Sequence, residues 1–312
     1  MELIRGLHNL RQRHRGCVAT VGAFDGVHRG HQWVLEHLKE RAAERNLPTT
    51  VILFEPLPKE YIHPLEAPAR IMNFREKALA LAECGIDRVL RIRFNANVQQ
   101  MTAESFIHDV FYQGLGVHYV VLGDDFRFGN DREGDAELMK QRGERYGFDC
   151  AATPTFTLAG ERISSTRIRS VLAQGDFSAA AQLLGRSFSM SGKVVYGKQL
   201  GRQLGFPTAN IRLHRLRAPI NGVFSVRVDG PGLNAAAAIA NVGTRPTIDD
   251  SIEANLEVHL IDRNVDLYGK RITVTFQHKV RDELKFSGID QLKEQVLADI
   301  ADTRRWFQQQ DQ

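Results

Sequence analysis

Up to about Leu184, short apolar runs rich in β-branched residues alternate with longer amphipathic stretches. The runs CVATVG from Cys17, TTVILF from Thr49, RVLRI from Arg88, HYVVLG from His118 and DCAAT from Asp149 have the length and composition of strands. Helical periodicity fills the gaps. It is clearest in HQWVLEHLKERAAERN, where Trp33, Val34, Leu38 and Ala42 form a stripe beside Glu, Lys and Arg. Strand and helix in alternation is the rhythm of βαβ units, which predicts an α/β domain with a parallel, doubly wound, Rossmann-like sheet.

Two short helical stretches, STRIRSVLAQG and SAAAQLLG, lead to Gly185, and there the period changes. From Ser189 the chain reads as strands punctuated by Gly and Pro: SGKVVYG, GVFSVRV, AAAAIANVG, NLEVHLID and RITVTFQHKV. This pattern predicts a small antiparallel β-barrel or sandwich. A closing amphipathic helix from about Asp290 to Phe307 has Leu292, Val296, Ile300 and Phe307 available to cover it. The expected domains are 1–185 and 186–312.

Composition narrows the class without choosing the chemistry. A chain of 312 residues with 43% hydrophobic and 25% charged residues is that of a soluble globular protein of two domains. No apolar run approaches the ~18 residues of a membrane span. The first residues, MELIRGLHNLRQRHRG, are rich in Arg, but Glu2 and the scarcity of Ser argue against a targeting leader and for a cytoplasmic protein. Cys17, Cys84 and Cys150 are odd in number and far apart, so neither a disulfide framework nor a zinc site is expected. A net charge of +4 suits nucleic acid or ATP phosphates equally. The Lys and Arg are scattered among acids, which disfavours nucleic acid.

The segment GAFDGVHRGH runs from a predicted strand directly into a helix, where open α/β sheets bind ligands. Gly22, Gly26 and Gly30 allow close backbone approach, and the helix N-terminus offers free N–H groups to an anion. His28 and His31, three apart, can face one phosphate. An HxxH pair is otherwise an ordinary helix-surface pair, and FDG an ordinary turn. The chain contains no GxxxxGK[ST], and GLGVHY at Gly114 lacks the third Gly of a dinucleotide fingerprint.

GAFDGVHRGH resembles the HxGH signature of the nucleotidylyltransferases. Together with FEPLPKEY, GDDFRFG and GERISSTRIR it resembles the adenylyltransferase half of the bacterial bifunctional riboflavin kinase/FAD synthetase family, and the resemblance spans nearly the whole chain. It implies that His28 and His31 are catalytic and that Gly22, Phe24, Asp25 and Gly26 bind ATP. Ser164, Ser165 and Thr166 can cap the next helix while offering donors, and Arg167 supplies a fork for the β- and γ-phosphates. Asp125, Phe126 and Phe128 of GDDFRFG are placed to contact flavin, with core packing an equal alternative for the two Phe. Ala23 stands where the family often has Asn, and Leu57 where His or Gln is common.

In GKQLGRQLGFPTANI, Gly197, Gly201 and Gly205 recur at four-residue spacing around Lys198 and Arg202, a pliable basic loop suited to polyphosphate. Thr208 and Asn210 are hard oxygen donors suited to Mg²⁺, although PTAN alone is an ordinary turn. This segment resembles the ATP and Mg²⁺ site of riboflavin kinase, which adds Phe206 and Pro207 to the nucleotide site. In LEVHLID, Leu256, Val258 and Leu260 alternate onto one face, leaving Glu257 on the other. By the resemblance, Glu257 is the general base for the ribityl hydroxyl. His278 falls among the apolar even positions of RITVTFQHKV and reads as structural, while Arg281, just beyond, is the candidate for flavin. The expected substrates are riboflavin, FMN and ATP, with Mg²⁺ as cofactor and FMN and FAD as products.

Overall fold

The computed structural model describes residues 1–130, 132–197, 201, 205–246, 252–263 and 265–310. The chain forms two compact units, Met1–Pro68 with Lys77–Ser164, and Ala69–Glu76 with Ser165–Gln312.

The first unit is built on six parallel strands: β1 (Glu2–Arg5), β2 (Cys17–Val21), β3 (Thr49–Phe54), β4 (Arg88–Ile92), β5 (Val117–Gly123) and β6 (Asp149–Thr153). Their spatial order is β1-β4-β3-β2-β5-β6, every adjacent pair being parallel. Five of the six are the strands the apolar runs predict. The sixth, β1, is the short and charged ELIR at the sheet edge, where only its Ile4 is buried. From β2 the chain builds outward to β3 and β4 and then returns to the other side of β2 as β5. The strand order therefore reverses between β2 and β5, and a crevice opens at their carboxyl ends.

The helix Arg29–Arg45 follows β2 and buries Leu35, Leu38 and Ala42. The stripe expected through Trp33 and Val34 is thus displaced by about one position. Leu35, Leu38 and Ala42 share a face at intervals of three and four, which turns Trp33 outward. There it packs against His37, with ring centroids 4.3 Å apart, and against Phe156 at 5.6 Å. All three cysteines are free. Burial pushes the Cys17 thiol up to about 11 and that of Cys150 up to about 12.

A short hairpin follows in the first unit, β7 (Thr157–Leu158) pairing antiparallel with β8 (Glu161–Arg162). The second unit is a closed barrel of β9 (Ser189–Val195), β10 (Ala209–Arg212), β11 (Gly222–Gly230), β12 (Leu233–Pro246), β13 (Ile252–Leu260) and β14 (Arg271–Arg281), in the order β10-β13-β12-β11-β14-β9. Strand β10 is the segment ANIR, hidden from the pattern because it is only four residues long and follows a Pro-containing turn. In β14 the alternation holds for Ile272, Val274 and Phe276, which are buried. The pairing with β11 then slips, Val226 facing Phe276 but Ser225 facing His278. The extra residue, Gln277, resets the faces, so His278 lies outside the barrel and stacks on Trp306 of the last helix, Ile289–Gln310, with ring centroids 5.5 Å apart.

The helices Ser165–Ala173 and Phe177–Leu184 belong to the barrel's unit, so the compact units divide the chain before the expected change at Arg186. The physical reason is an aromatic cluster. Phe177 lies 5.7 Å from Phe224, 5.9 Å from Phe276 and 6.3 Å from Phe188, ring centre to ring centre. All four rings are buried.

The excursion Ala69–Glu76 is held in this unit by one buried carboxylate. Glu76 accepts from the backbone N–H of Asn73 at 2.7 Å and of Ser191 at 2.6 Å, and from Nη2 of Arg215 at 2.5 Å. Nη1 of Arg215 in turn donates to the carbonyls of Arg70 and Ile71. Each charge is thereby both paired and hydrogen-bonded, as burial requires.

Removing one partner leaves the other charge buried. Arg215→Met is expected to cost about 3–5 kcal/mol, read as a lowered urea midpoint by Trp306 fluorescence with the other indole replaced as Trp33→Phe. The raised thiol pKa values predict slow native-state alkylation of Cys17 at pH 8 and fast reaction in urea. Because the folded thiols stay protonated where unfolded ones ionise, they favour the fold below pH ~9, and that contribution is lost as pH rises toward 11 and beyond.

Candidate active sites

The turn after β2 holds an unusual backbone. Phe24 has φ 46°, Gly26 φ 91° and Val27 φ 39°. Two side-chain-bearing residues in the left-handed region within four positions are costly, and burial of Phe24 and Val27 fixes them there. The turn delivers His28 to the N-cap of the helix Arg29–Arg45, where its Nδ1 accepts from the backbone N–H of His31 at 3.3 Å. With Nδ1 accepting, the ring proton resides on Nε2, which becomes a donor. The imidazoles of His28 and His31 stack with centroids 3.6 Å apart, and Phe24 lies 5.0 Å from His31. Gly30 packs closely against the His28 ring, which a side chain there would push aside. A Cβ there would meet the His28 ring at 3.2 Å and the carbonyl oxygen of Ile163 at 3.4 Å.

Gly22, Phe24, Asp25, Gly26, His28 and His31 therefore converge at the carboxyl end of β2, beside the β2/β5 crevice. Asp25 and His28 are buried. Sequence reasoning missed Lys77, which is 1% exposed and donates its Nζ to the carbonyl of Ala23 at 2.6 Å. Its signal was a cation at the head of the apolar run ALALA in the helix FREKALALAE. A buried ammonium behind this turn adds positive potential where an anion would sit. Ser164 is the last residue of the first unit. Ser165, Thr166 and Arg167 form the first turn of the helix Ser165–Ala173 in the second.

In GDDFRFG, Asp125 is exposed and paired with Arg162. Phe128 is core, buried against Phe106 with centroids 5.7 Å apart, while half-buried Phe126 stacks on it at 5.7 Å. These two rings end a row that continues from Phe106 through Phe54 and Phe94 to Tyr61, each neighbouring pair 5.6–5.8 Å apart. Phe54 ends β3, Phe94 follows β4 and Phe126 follows β5, so the row lines the carboxyl edge of the sheet. Tyr61, at 41% exposure, is its open end. Phe54 and Tyr61 bound the FEPLPKEY motif but were given no role by it, and Phe94 lay outside every motif; an aromatic at the end of successive strands was the signal for Phe54 and Phe94.

In the barrel, Asn210 of β10 faces Glu257 of β13, which faces Asn241 of β12. Residues directly opposite in antiparallel strands share a face, so these polar side chains form a row across the outer wall. Glu257 accepts from Nδ2 of Asn255 at 3.0 Å. Two cavities meet at this wall. One of about 500 Å³ is lined by Tyr196, Pro207, Thr208, Arg263, Asp266 and Tyr268 among others. The other, about 300 Å³, is lined by Phe206, Thr208, Glu257, Arg281, Phe286 and Val296 among others. Thr208 belongs to both. In the larger, exposed Tyr196 stacks on Tyr268 with centroids 4.2 Å apart. Neither tyrosine was singled out by the sequence reading.

Gly197 and Gly201 approach this wall closely. A Cβ on Gly197 would fall 2.4 Å from the Asn210 amide, and one on Gly201 2.6 Å from the carbonyl of Phe206. Gly205 has φ 92°, which favours glycine. Phe206 is buried, and the carbonyl of Pro207 lies 2.9 Å from Nδ1 of His259. Lys198 and Arg202 lie outside the described residues. Oδ1 of Asn210 is buried with no hydrogen-bond partner among the described residues. An unclaimed amide oxygen beside the Thr208 hydroxyl fits a hard cation. Arg281 lines the smaller cavity, but its Nε and Nη2 are engaged by the Asp299 carboxylate at 2.7–3.0 Å.

Comparison with known proteins agrees with the geometry of both units. Residues 10–167 match the FAD synthetase family and residues 184–307 the riboflavin kinase family. The bifunctional riboflavin kinase/FMN adenylyltransferase of Pseudomonas fluorescens is 48% identical over 304 residues, 97% of each chain. That of Escherichia coli is 48% identical over 308 residues, 98% of each. Among solved structures, a macrolide-efflux protein from Streptococcus pneumoniae superposes with a TM-score of 0.78 at 30% identity, covering 98% of this chain and 100% of that one. Among the described residues no helix is long and apolar enough to cross a membrane. With two family models in tandem and close relatives along nearly its whole length, the chain belongs to the bifunctional riboflavin kinase/FMN adenylyltransferase family.

Proposed function

We infer that the chain makes both flavin cofactors, phosphorylating riboflavin to FMN and adenylylating FMN to FAD, with ATP consumed in each step. We assign adenylylation to residues 1–185 and phosphorylation to residues 186–312. The observation that carries the reading is the meeting of two cavities at Thr208, with Glu257 on the wall of one and the stacked tyrosines in the other. Phosphoryl transfer needs a nucleotide pocket and an acceptor pocket that touch at one point, with a base on the acceptor side.

On this reading the cavity of Tyr196 and Tyr268 takes ATP, and the glycine-rich motif from Gly197 to Gly205, with Lys198 and Arg202, is assigned to its phosphates. The cavity of Val296 and Phe286 takes riboflavin. Glu257 accepts the proton of the ribityl 5′-hydroxyl as the oxygen attacks the γ-phosphorus and ADP leaves. Thr208 and Asn210 would hold Mg²⁺ through neutral oxygens, and the ion would supply charge neutralisation on the phosphates.

At the other site an FMN phosphate oxygen attacks the α-phosphorus of ATP and pyrophosphate departs. The family's HxGH role falls to His28 and His31. The Nε2 proton of His28 meets the charge growing on the transferring phosphate, and the buried Lys77 ammonium raises the positive potential around it. Ser164, Ser165, Thr166 and Arg167 are assigned to the leaving β- and γ-phosphates. The row from Tyr61 to Phe126 suits the isoalloxazine ring, to which Asp125 would add a polar contact. We place the enzyme in the cytoplasm, where its substrates are soluble, with no role for nucleic acid.

Purified protein given riboflavin, ATP and Mg²⁺ should yield FMN and then FAD, separated by chromatography; FMN alone would refute the adenylylation assignment. His28→Ala is expected to lower FAD formation from FMN by 10²-fold or more, the size of losing one transition-state donor, with riboflavin phosphorylation within twofold of wild type. Glu257→Gln should do the reverse, lowering FMN formation about 10²–10⁴-fold while supplied FMN is still adenylylated. Loss of both products in either variant would show the residues to be structural.

A further inference from the structure

The last helix turns a stripe toward the barrel in which Val296, Ile300, Thr303 and Phe307 would suffice for packing. Within that stripe stands a carboxylate. The side chain of Asp299 is only 3% exposed and lines the smaller cavity. It receives three charge-assisted contacts from Arg281, Nε to each oxygen at 3.0 Å and Nη2 to Oδ2 at 2.7 Å, and a fourth hydrogen bond from Gln295 at 2.9 Å. A buried ion pair is a poor way to gain stability, since an apolar pair of similar volume commonly does as well. What it supplies is a fixed geometry.

The Arg281 guanidinium is fixed along its edge. Nε and Nη2 are engaged by Asp299, and Nη1 donates to the carbonyl of Asp282 at 2.9 Å. Its centre lies 5.8 Å from the ring of Phe286, which lines the same cavity. With the edge spent on the protein, the guanidinium offers a ligand its flat, cationic face. A planar cation stacks on an extended aromatic system.

We propose that Asp299 is a positioning residue for riboflavin: it locks Arg281 so that the guanidinium face, beside Phe286, stacks on the isoalloxazine ring. This rests on the smaller cavity being the riboflavin site. Asp299 and Arg281 act on the ground state and the transition state alike, so their loss raises KM and spares kcat.

The test is steady-state kinetics of the full-length protein with Asp299→Asn, Asp299→Glu, Arg281→Lys and Val296→Trp, with the urea midpoint read by Trp306 fluorescence in the Trp33→Phe background confirming the fold of the barrel unit. Asp299→Asn is expected to raise KM for riboflavin about tenfold with kcat within twofold and KM for ATP unchanged, and Asp299→Glu to recover most of the loss. Arg281→Lys keeps the charge but removes the plane, so it should raise the riboflavin KM similarly, and it carries the test should Asp299→Asn fail to fold. The double variant should be no worse than either single one. A lowered melting temperature with an unchanged riboflavin KM would overturn the proposal, as would a fall in kcat alone. Val296→Trp, which fills the cavity, separates the two claims. An unchanged riboflavin KM in that variant would show that the cavity is not the riboflavin site at all.

Discussion

The barrel unit depends on a charge it has to bury. Glu76 gathers two backbone N–H groups and the Arg215 guanidinium, and Arg215 carries the connection on to the carbonyls of Arg70 and Ile71. A short excursion from the middle of the first half of the chain is thereby made part of the unit formed by its second half. Local hydrophobicity would not place it there. Asn73 reinforces the link, its Nδ2 donating to the carbonyl of Leu213 and its Oδ1 accepting from the N–H of Glu76. Polar satisfaction, rather than apolar area, places this excursion in the unit.

The two sites handle phosphate by different means. After β2, charge is concentrated behind the turn in Lys77, while two imidazoles occupy the front, one of them spent on capping the helix it precedes. On the barrel wall neutral amides and a hydroxyl stand beside the carboxylate of Glu257. A parallel sheet supplies helix N-termini at its carboxyl edge, whereas antiparallel pairing lines side chains up across strands. The barrel therefore relies on side chains in cross-strand register.

Much of this was legible in the sequence. Five sheet strands, the barrel strands other than β10, and the place of GAFDGVHRGH follow from periodicity and turn chemistry, because a long buried strand or a strand-to-helix junction leaves a local trace. Strands β1 and β10 are four residues each and too short to show a period. The slip at Gln277 reversed the expected orientation of His278, since a bulge is set by the neighbouring strand and not by composition. Lys77, Tyr196 and Asp299 draw their importance from partners that are distant in sequence. Arg281 was found by position but not by state, its guanidinium being already engaged by Asp299.

The neutrality of Thr208 and Asn210 has a kinetic corollary. Two uncharged oxygens hold a divalent ion weakly, so most of the attraction must come from the polyphosphate it accompanies. On the proposed assignment of Mg²⁺ to these two residues, the cation arrives already complexed to the nucleotide, and the kinase half should treat the complex as one substrate. Its rate would follow the concentration of the complex, and nucleotide in excess of metal would act as a competitor.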